Sequence, residues 1–386
     1  MHKKIKNKSS DFESKKLDFE ILSFIHDHAK KNSTDSAFQG LALKIFGYQY
    51  RRNGLYRRFC RMEKKDPKSV KSWKDIPAMP VMGFKELVLT TFPKERVVKI
   101  FKTSGTTFKY SRAMGASATG ASADGHRGAH FFDTLKLYEA AIVPAFKKYV
   151  LPDVEKIDMR FLMASPKEAP ESSLSFMMGV VSRCFAKGNR KFYFKKGRLL
   201  FSELAEDLRR VRSKSMILST AFALKGFLEH LKQKRIFLKL PAGSRLMETG
   251  GFKGRTREIS KADLYAECQK RLGIRADSCV SEYGMTELSS QFYSRGLSNS
   301  FQSPAWVRTV VIDPLTGKEA LMGKKGLFRH FDLANRGSVL AIQTEDMGRA
   351  IQGGNFEFLG RAQGTELRGC SLTYEEFIGE DSFGAS

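Results

Sequence analysis

Residues 157–164, IDMRFLMA, make a mostly apolar run of strand length, and the segments after it decide the fold. LSFMMGVVSRCF at 174–185 and SELAEDLRRV at 202–211 have helical spacing. MILS at 216–219 is again of strand length, and ALKGFLEHLKQK at 223–234 is helical. Apolar strands interleaved with helices indicate an α/β fold whose mainly parallel sheet is flanked by helices on both faces. The pattern continues with a strand from Ser244 to Glu248, a helix over 261–272 and a strand over 278–281. Upstream, Ile21, Phe24 and Ile25, then Leu41, Leu43, Phe46 and Tyr50, predict helices over 17–29 and 37–59. A Pro-punctuated loop with a short helix is expected at 76–87, a strand at 97–102 and a helix at 134–149.

Beyond Trp306 the texture changes. Segments 307–312, 327–331, 339–343 and 356–359 read as strands bounded by Gly, Pro, Asn or Asp, which predicts a smaller β-rich subdomain. The expected organisation is a basic, disordered arm over 1–16 and an α/β body over 17–305. Within the body, the Ala/Gly/Ser-rich residues 108–125 are a flexible insertion. The β-rich subdomain covers 306–372 and a tail 373–386.

The chain has 386 residues and a formal net charge of +26, concentrated at 51–74 and 187–198. Such a charge is compatible with nucleic-acid or anionic-surface binding, but a solvated basic face is the reading it favours. No zinc-finger, basic-zipper or aromatic RNA-binding pattern accompanies it, so no specific nucleic-acid partner is expected. The five cysteines (Cys60, Cys184, Cys268, Cys279, Cys370) show neither C-x-x-C pairing nor zinc-ligand spacing and read as free thiols. No run of about eighteen apolar residues occurs, which argues against an integral membrane protein and for a cytoplasmic one.

Four short elements carry chemistry. Thr103-Ser104-Gly105-Thr106-Thr107 puts small hydroxylated residues and a glycine at a strand end, where N–H groups and hydroxyls can converge on phosphate; alone it is also an ordinary turn. In Glu282-Tyr283-Gly284-Met285-Thr286-Glu287, Tyr283 can stack on a base, Thr286 bond a phosphate oxygen and Glu287 hold Mg²⁺, or the segment can simply open a helix. In Thr344-Glu345-Asp346-Met347-Gly348, Asp346 can accept both ribose hydroxyls. In Gly360-Arg361, the arginine can donate to ribose or phosphate.

Taken in order, T-S-G-T-T, E-Y-G-M-T-E-L, T-E-D-M-G and L-G-R resemble the motifs of the acyl-adenylate-forming superfamily. More narrowly, T-G-G-F-K-G-R at 249–255, S-E-Y-G-M-T-E-L-S-S-Q at 281–291 and R-G-C-S-L at 368–372 resemble the acyl-protein synthetase family, which includes the synthetase of the bacterial bioluminescence fatty-acid reductase. The resemblance spans about 37–372. It implies ATP and Mg²⁺ as cofactors, with Ser104, Gly105, Thr106 and Thr107 at the phosphates and Gly250, Gly251 and Tyr283 by the adenine. It further implies Thr286 and Glu287 at the α-phosphate and metal, Asp346 and Arg361 at the ribose, and Cys370 as the thiol that takes the acyl group.

Two departures stand out. The insertion follows the phosphate loop, and the chain stops at Ser386, so the lid lysine of larger relatives has no counterpart, Lys253 being a substitute. The implied activity is ATP-dependent activation of a carboxylic acid, a long-chain fatty acid foremost, with transfer to a protein cysteine and delivery to a partner reductase or acyltransferase. The alternatives are a coenzyme A ligase using the same adenylation chemistry and a basic nucleic-acid-binding protein on an inactive adenylation fold.

Overall fold

The computed structural model describes residues 2–103, 127–250 and 259–362, with the backbone alone for 2–11 and 189. The chain opens with α1 (His2–Asp27), α2 (Asp35–Arg52) and α3 (Gly54–Met62). Then come β1 (Met79–Pro80), α4 (Gly83–Glu86), and the antiparallel partners β2 (Lys99–Lys102) and β3 (Ala129–Phe132). The alternating part comprises α5 (Lys136–Tyr149), β4 (Ile157–Leu162), α6 (Ser173–Phe185), β5 (Ala186–Phe192) and the small hairpin β6 (Phe194–Lys195) and β7 (Arg198–Leu199). It continues with α7 (Phe201–Arg209), β8 (Ser215–Thr220), α8 (Ala221–Gln233), β9 (Arg245–Thr249), α9 (Lys261–Leu272) and β10 (Cys279–Tyr283). The remainder is mainly strand: β11 (Phe292–Arg295), β12 (Ser300–Phe301), β13 (Val307–Ile312), β14 (Lys325–Asp332), β15 (Ala341–Ile351) and β16 (Asn355–Arg361).

One six-stranded sheet has the order β11-β10-β9-β8-β4-β5. Its pairings are parallel except that of β10 with β11. Every residue of β9 and β10 is buried, as expected of strands covered on both faces. The helices begin where the sequence supplies caps. Thr220 accepts from the Ala223 N–H (3.1 Å), and Ser260 from the Asp263 N–H (3.0 Å). Gly273, at φ +71°, ends α9 in the left-handed conformation. On one face α7, α8 and α9 close a core containing Leu204, Leu224, Phe227, Leu246, Tyr265 and Leu272.

A second sheet, β12-β16-β15-β14-β13, is antiparallel and gains β1 as a parallel neighbour of β15. It lacks a core of its own. Trp306, Phe331 and Ile342 belong to one apolar cluster with Phe38 and Trp73 from the N-terminal part and Met247 and Val280 from the parallel sheet. The β-rich segment is therefore packed into the body rather than appended to it.

Several local expectations need correction. Residues 2–16 of the expected arm lie within α1: Glu13 holds Arg51 (2.6 Å) and Arg52 (3.0 Å), and Ser14 and Leu17 are buried. The helix over 37–59 divides at Asn53, whose N–H ends α2 on the Gln49 carbonyl (2.8 Å) while its side chain accepts from the Tyr56 N–H (3.0 Å) and opens α3. The run 339–343 extends into β15 through Ile351, so Thr344–Gly348 lies within a strand. The basic surface is partly paired, with Lys74 on Glu319 (2.7 Å) and Lys191 on Glu203 (3.0 Å). No helix among the described residues is long and apolar enough to cross a membrane.

Candidate active site

Glu287 lies where the two sheets meet, in the connection from β10 to β11. This segment is a turn between strands rather than the start of a helix, and the end of β14 with the loop after it holds it. Asp332 accepts from the Ser289 N–H (3.0 Å) and the Ser290 hydroxyl (2.8 Å). Asn335 accepts from the Ser289 hydroxyl (2.6 Å) and donates to the Glu287 carbonyl (2.8 Å), and the Trp306 indole N–H donates to Ser290 (3.1 Å). Every one of these polar groups is buried, so each lost partner would leave a desolvated donor or acceptor.

His130 on β3 fastens the other side. Its Nδ1–H donates to the Thr286 carbonyl (3.0 Å), which places the proton on Nδ1 and leaves Nε2 to accept from the Ser338 hydroxyl (2.8 Å). Burial pulls its pKa down to about 4, so the ring is a neutral strut.

The carboxylate of Glu287 is 6 % exposed, and burial pushes its pKa up to about 7. Among the described residues it has no ion-pair partner; Arg361 and Lys85 favour its charge only from a distance, and Asp346 opposes it. Gly128 explains how it reaches the β2–β3 pair: a Cβ there would lie 3.0 Å from Thr103 Cγ2, 3.4 Å from Lys85 Cγ and 3.5 Å from Glu287 Oε1. The carboxylate thus borders Thr103, the first residue of the phosphate-loop motif. Thr103 is itself tied back by the Gly128 carbonyl (2.8 Å) and by Arg127 Nε on its own carbonyl (2.5 Å).

Asp346 and Arg361 face each other as cross-strand partners on β15 and β16, with Nε 3.5 Å from Oδ1. Arg361 leaves 71 % of its side chain in solvent, whereas the Asp346 carboxylate is largely covered. The Tyr283 hydroxyl donates to Asp346 Oδ2 (2.8 Å) and lies 3.4 Å from His330 Nε2, and His330 Nδ1 meets the Thr309 hydroxyl at 2.9 Å. The Tyr283 ring is buried among Phe292, Phe301, Phe328, His330, Phe356 and Phe358.

Glu287, Thr286, Tyr283, Asp346 and Arg361 are therefore brought together, and Gly250 (φ +71°) lies at the end of neighbouring β9. Ser104, Gly105, Thr106, Thr107, Gly251, Lys253 and Cys370 lie outside the described residues, as does the insertion 108–125. A divalent cation fits Glu287, a buried carboxylate without an ion-pair partner among the described residues. The described residues offer no cluster of three or more acidic, His or Cys ligands, so such an ion would lean on this carboxylate and on phosphate oxygens, as Mg²⁺ commonly does. Sequence reasoning missed Lys85, Gly128, Asp332 and Asn335. The signal for the last two was the polar run D-L-A-N-R-G at 332–337 between apolar strands.

The chain matches the family model described as "Acyl-protein synthetase, LuxE" over residues 7–115 and 178–378. The chain belongs to this family. With it comes membership of the acyl-adenylate-forming superfamily and the status of a ligase. Among solved structures, this acyl-protein synthetase is similar to 2-hydroxyisobutyryl-CoA ligase in the postadenylation state in complex with 2-HIB-AMP. That match has a TM-score of 0.64, 14% identity, and 85% and 67% coverage of this chain and that one. An open conformation of the same ligase in complex with 2-HIB-AMP and CoA gives a TM-score of 0.62 and 13% identity, covering 85% and 69%. At this identity the likeness establishes the fold. No curated protein matches the sequence.

Proposed function

We propose that this acyl-protein synthetase uses Mg-ATP to convert a long-chain fatty acid to its acyl-adenylate and then moves the acyl group to the thiol of Cys370, for delivery to a partner reductase or acyltransferase. The observation that carries this reading is the position of Glu287, a buried carboxylate with no ion-pair partner among the described residues, bordering the start of the phosphate loop and close to the Asp346–Arg361 pair.

A bound Mg²⁺ would offset the negative charge of the phosphates during displacement at the α-phosphorus. The chain's own residues do the rest. Asp346, oriented by Tyr283, receives the ribose hydroxyls, and Arg361, mostly exposed beside it, donates to ribose or phosphate. His130 and Asn335 fix the Thr286–Glu287 backbone, so little reorganisation accompanies the charge change. In the second step the thiolate of Cys370 attacks the acyl carbonyl and AMP leaves.

Cys60, Cys268 and Cys279 are buried with thiol pKa values pushed up by desolvation, to about 12 for Cys60 and Cys279, which suits inert thiols. An extended chain from Arg361 to Cys370 reaches roughly 30 Å, enough to bring that thiol to the site.

Intact mass after incubation with Mg-ATP and a panel of fatty and aryl acids tests the proposal. Wild type retains a hydroxylamine-labile acyl group. Cys370→Ser still releases pyrophosphate with acid but retains none, because a serine hydroxyl without a general base is a weak nucleophile. Equal labile acylation of Cys370→Ser, or full turnover restored to it by coenzyme A, would establish the coenzyme A ligase reading instead.

A further inference from the structure

Leu315, Leu321 and Met322, 90 %, 77 % and 65 % exposed, all sit on the one connection between β13 and β14. They are held out by ordered turns. The Asp313 carboxylate accepts from the Leu315 N–H (2.9 Å), the Asp313 carbonyl accepts from the Gly317 N–H (2.9 Å), and the Ala320 N–H returns to the Val311 carbonyl (2.8 Å). A second turn has the Leu321 carbonyl accepting from Lys324 (2.9 Å) and the Gly323 N–H bonded to the Ala350 carbonyl (3.2 Å). Gly317 (φ +69°) and Gly323 (φ +78°) supply the left-handed residues these turns need. The apolar side chains are thus presented by fixed backbone.

Lysines outnumber carboxylates around them. Lys318 and Lys324 are exposed on the same connection, as is Lys325 at the start of β14. The two carboxylates there are engaged, Asp313 with the Leu315 N–H and Glu319 with Lys74 (2.7 Å). Three exposed apolar side chains on a short segment that also exposes lysines, in a chain of net charge +26, match an anionic bilayer surface, where the apolar groups enter the acyl boundary and the ammonium groups stay among the headgroups. Nucleic acid would find charge but no aromatic platform at this tip. We propose that the β13–β14 tip docks the protein peripherally on membranes carrying anionic lipid. Docking does not depend on the reaction proposed above.

Co-sedimentation of the full chain with vesicles tests it, using phosphatidylglycerol mixed into phosphatidylcholine against phosphatidylcholine alone. Wild type should bind the anionic vesicles, and more weakly as salt rises. The triple substitution Leu315→Ser, Leu321→Ser, Met322→Ser leaves net charge unchanged and should weaken binding by about tenfold or more. A Leu321→Trp variant gives a second reading: its emission should shift to the blue on anionic vesicles at unchanged thermal stability. Absence of wild-type binding to anionic vesicles would overturn the proposal, pointing to a protein partner for the tip. Undiminished binding by the serine variant, or an unshifted tryptophan, would also overturn it, the contact then being adsorption of a basic protein elsewhere on its surface.

Discussion

Glu287 is held out of water with no cation beside it among the described residues, and its ionisation is correspondingly opposed. Its folded pKa of about 7 lies above the ordinary 4.5, so the folded state binds this proton more tightly than the unfolded state does. The sign follows: the group costs the apoprotein nothing below about pH 4.5, an increasing amount as pH rises to about 7, and a constant amount above that. Glu287→Gln should therefore stabilise the Mg²⁺-free protein at pH 8, by up to roughly 3 kcal/mol, and have little effect at pH 4.5. The same substitution should abolish acid-dependent pyrophosphate release. Thermal melts at both pH values and a pyrophosphate assay check the two halves. A variant no more stable than wild type at pH 8 would mean that the carboxylate is neutralised by the apoprotein itself.

At the scale of elements, β15 and β16 set the separation of Asp346 and Arg361, and their register shifts between Met347 and Gly348. A Cβ on Gly348 would run into the Glu357 carbonyl oxygen and the Phe328 ring. No rotamer change relieves a clash with backbone, so Gly348→Ala should destabilise by about 2–3 kcal/mol and weaken nucleotide binding through displaced Asp346. Gly40→Ala in α2, where a Cβ meets nothing within 4 Å, should be neutral or slightly stabilising. Urea unfolding of the pair, with nucleotide titration, is the measurement; equal midpoints would show that β16 gives way.

Elements with a clear period were legible in the sequence, α9 to the residue, because apolar spacing and a Ser260 cap point the same way. β5 was not, since AKGNRKF lacks an apolar run and is a strand only because β4 offers it an edge. The candidate site was legible as a motif where its residues are contiguous, as at Tyr283–Glu287. Its supports at Asp332 and Asn335 were not, because their role rests on pairing with Ser289 and Ser290 across the fold.

The whole molecule shares one large apolar cluster between its two sheets and its N-terminal helices, and a buried charge cluster follows the same route. Arg336, 1 % exposed, donates to Asp18 on α1 (2.7 and 3.1 Å) and to Asp133 after β3 (3.0 and 3.1 Å). Burial alone would lower its pKa, but Asp133 and Asp18 outweigh that effect and keep the guanidinium charged. Its carbonyl and that of Asn335 accept from Gln49 of α2, so three distant segments converge on the loop that also holds Glu287. Arg336→Met leaves Asp133 buried with, among the described residues, Arg96 as its remaining ion-pair partner at 3.6 Å, and should cost about 3–5 kcal/mol, the usual penalty for breaking a buried pair from one side. Neutralising the partners as well, with Asp18→Asn and Asp133→Asn, should recover much of that loss, because the unpaired charges and not the missing attraction carry the penalty. Denaturant unfolding of the single and triple variants decides it. A single variant within about 1 kcal/mol of wild type, the range of an exposed pair, would show that water reaches these carboxylates and that the cluster does not hold α1 against the site.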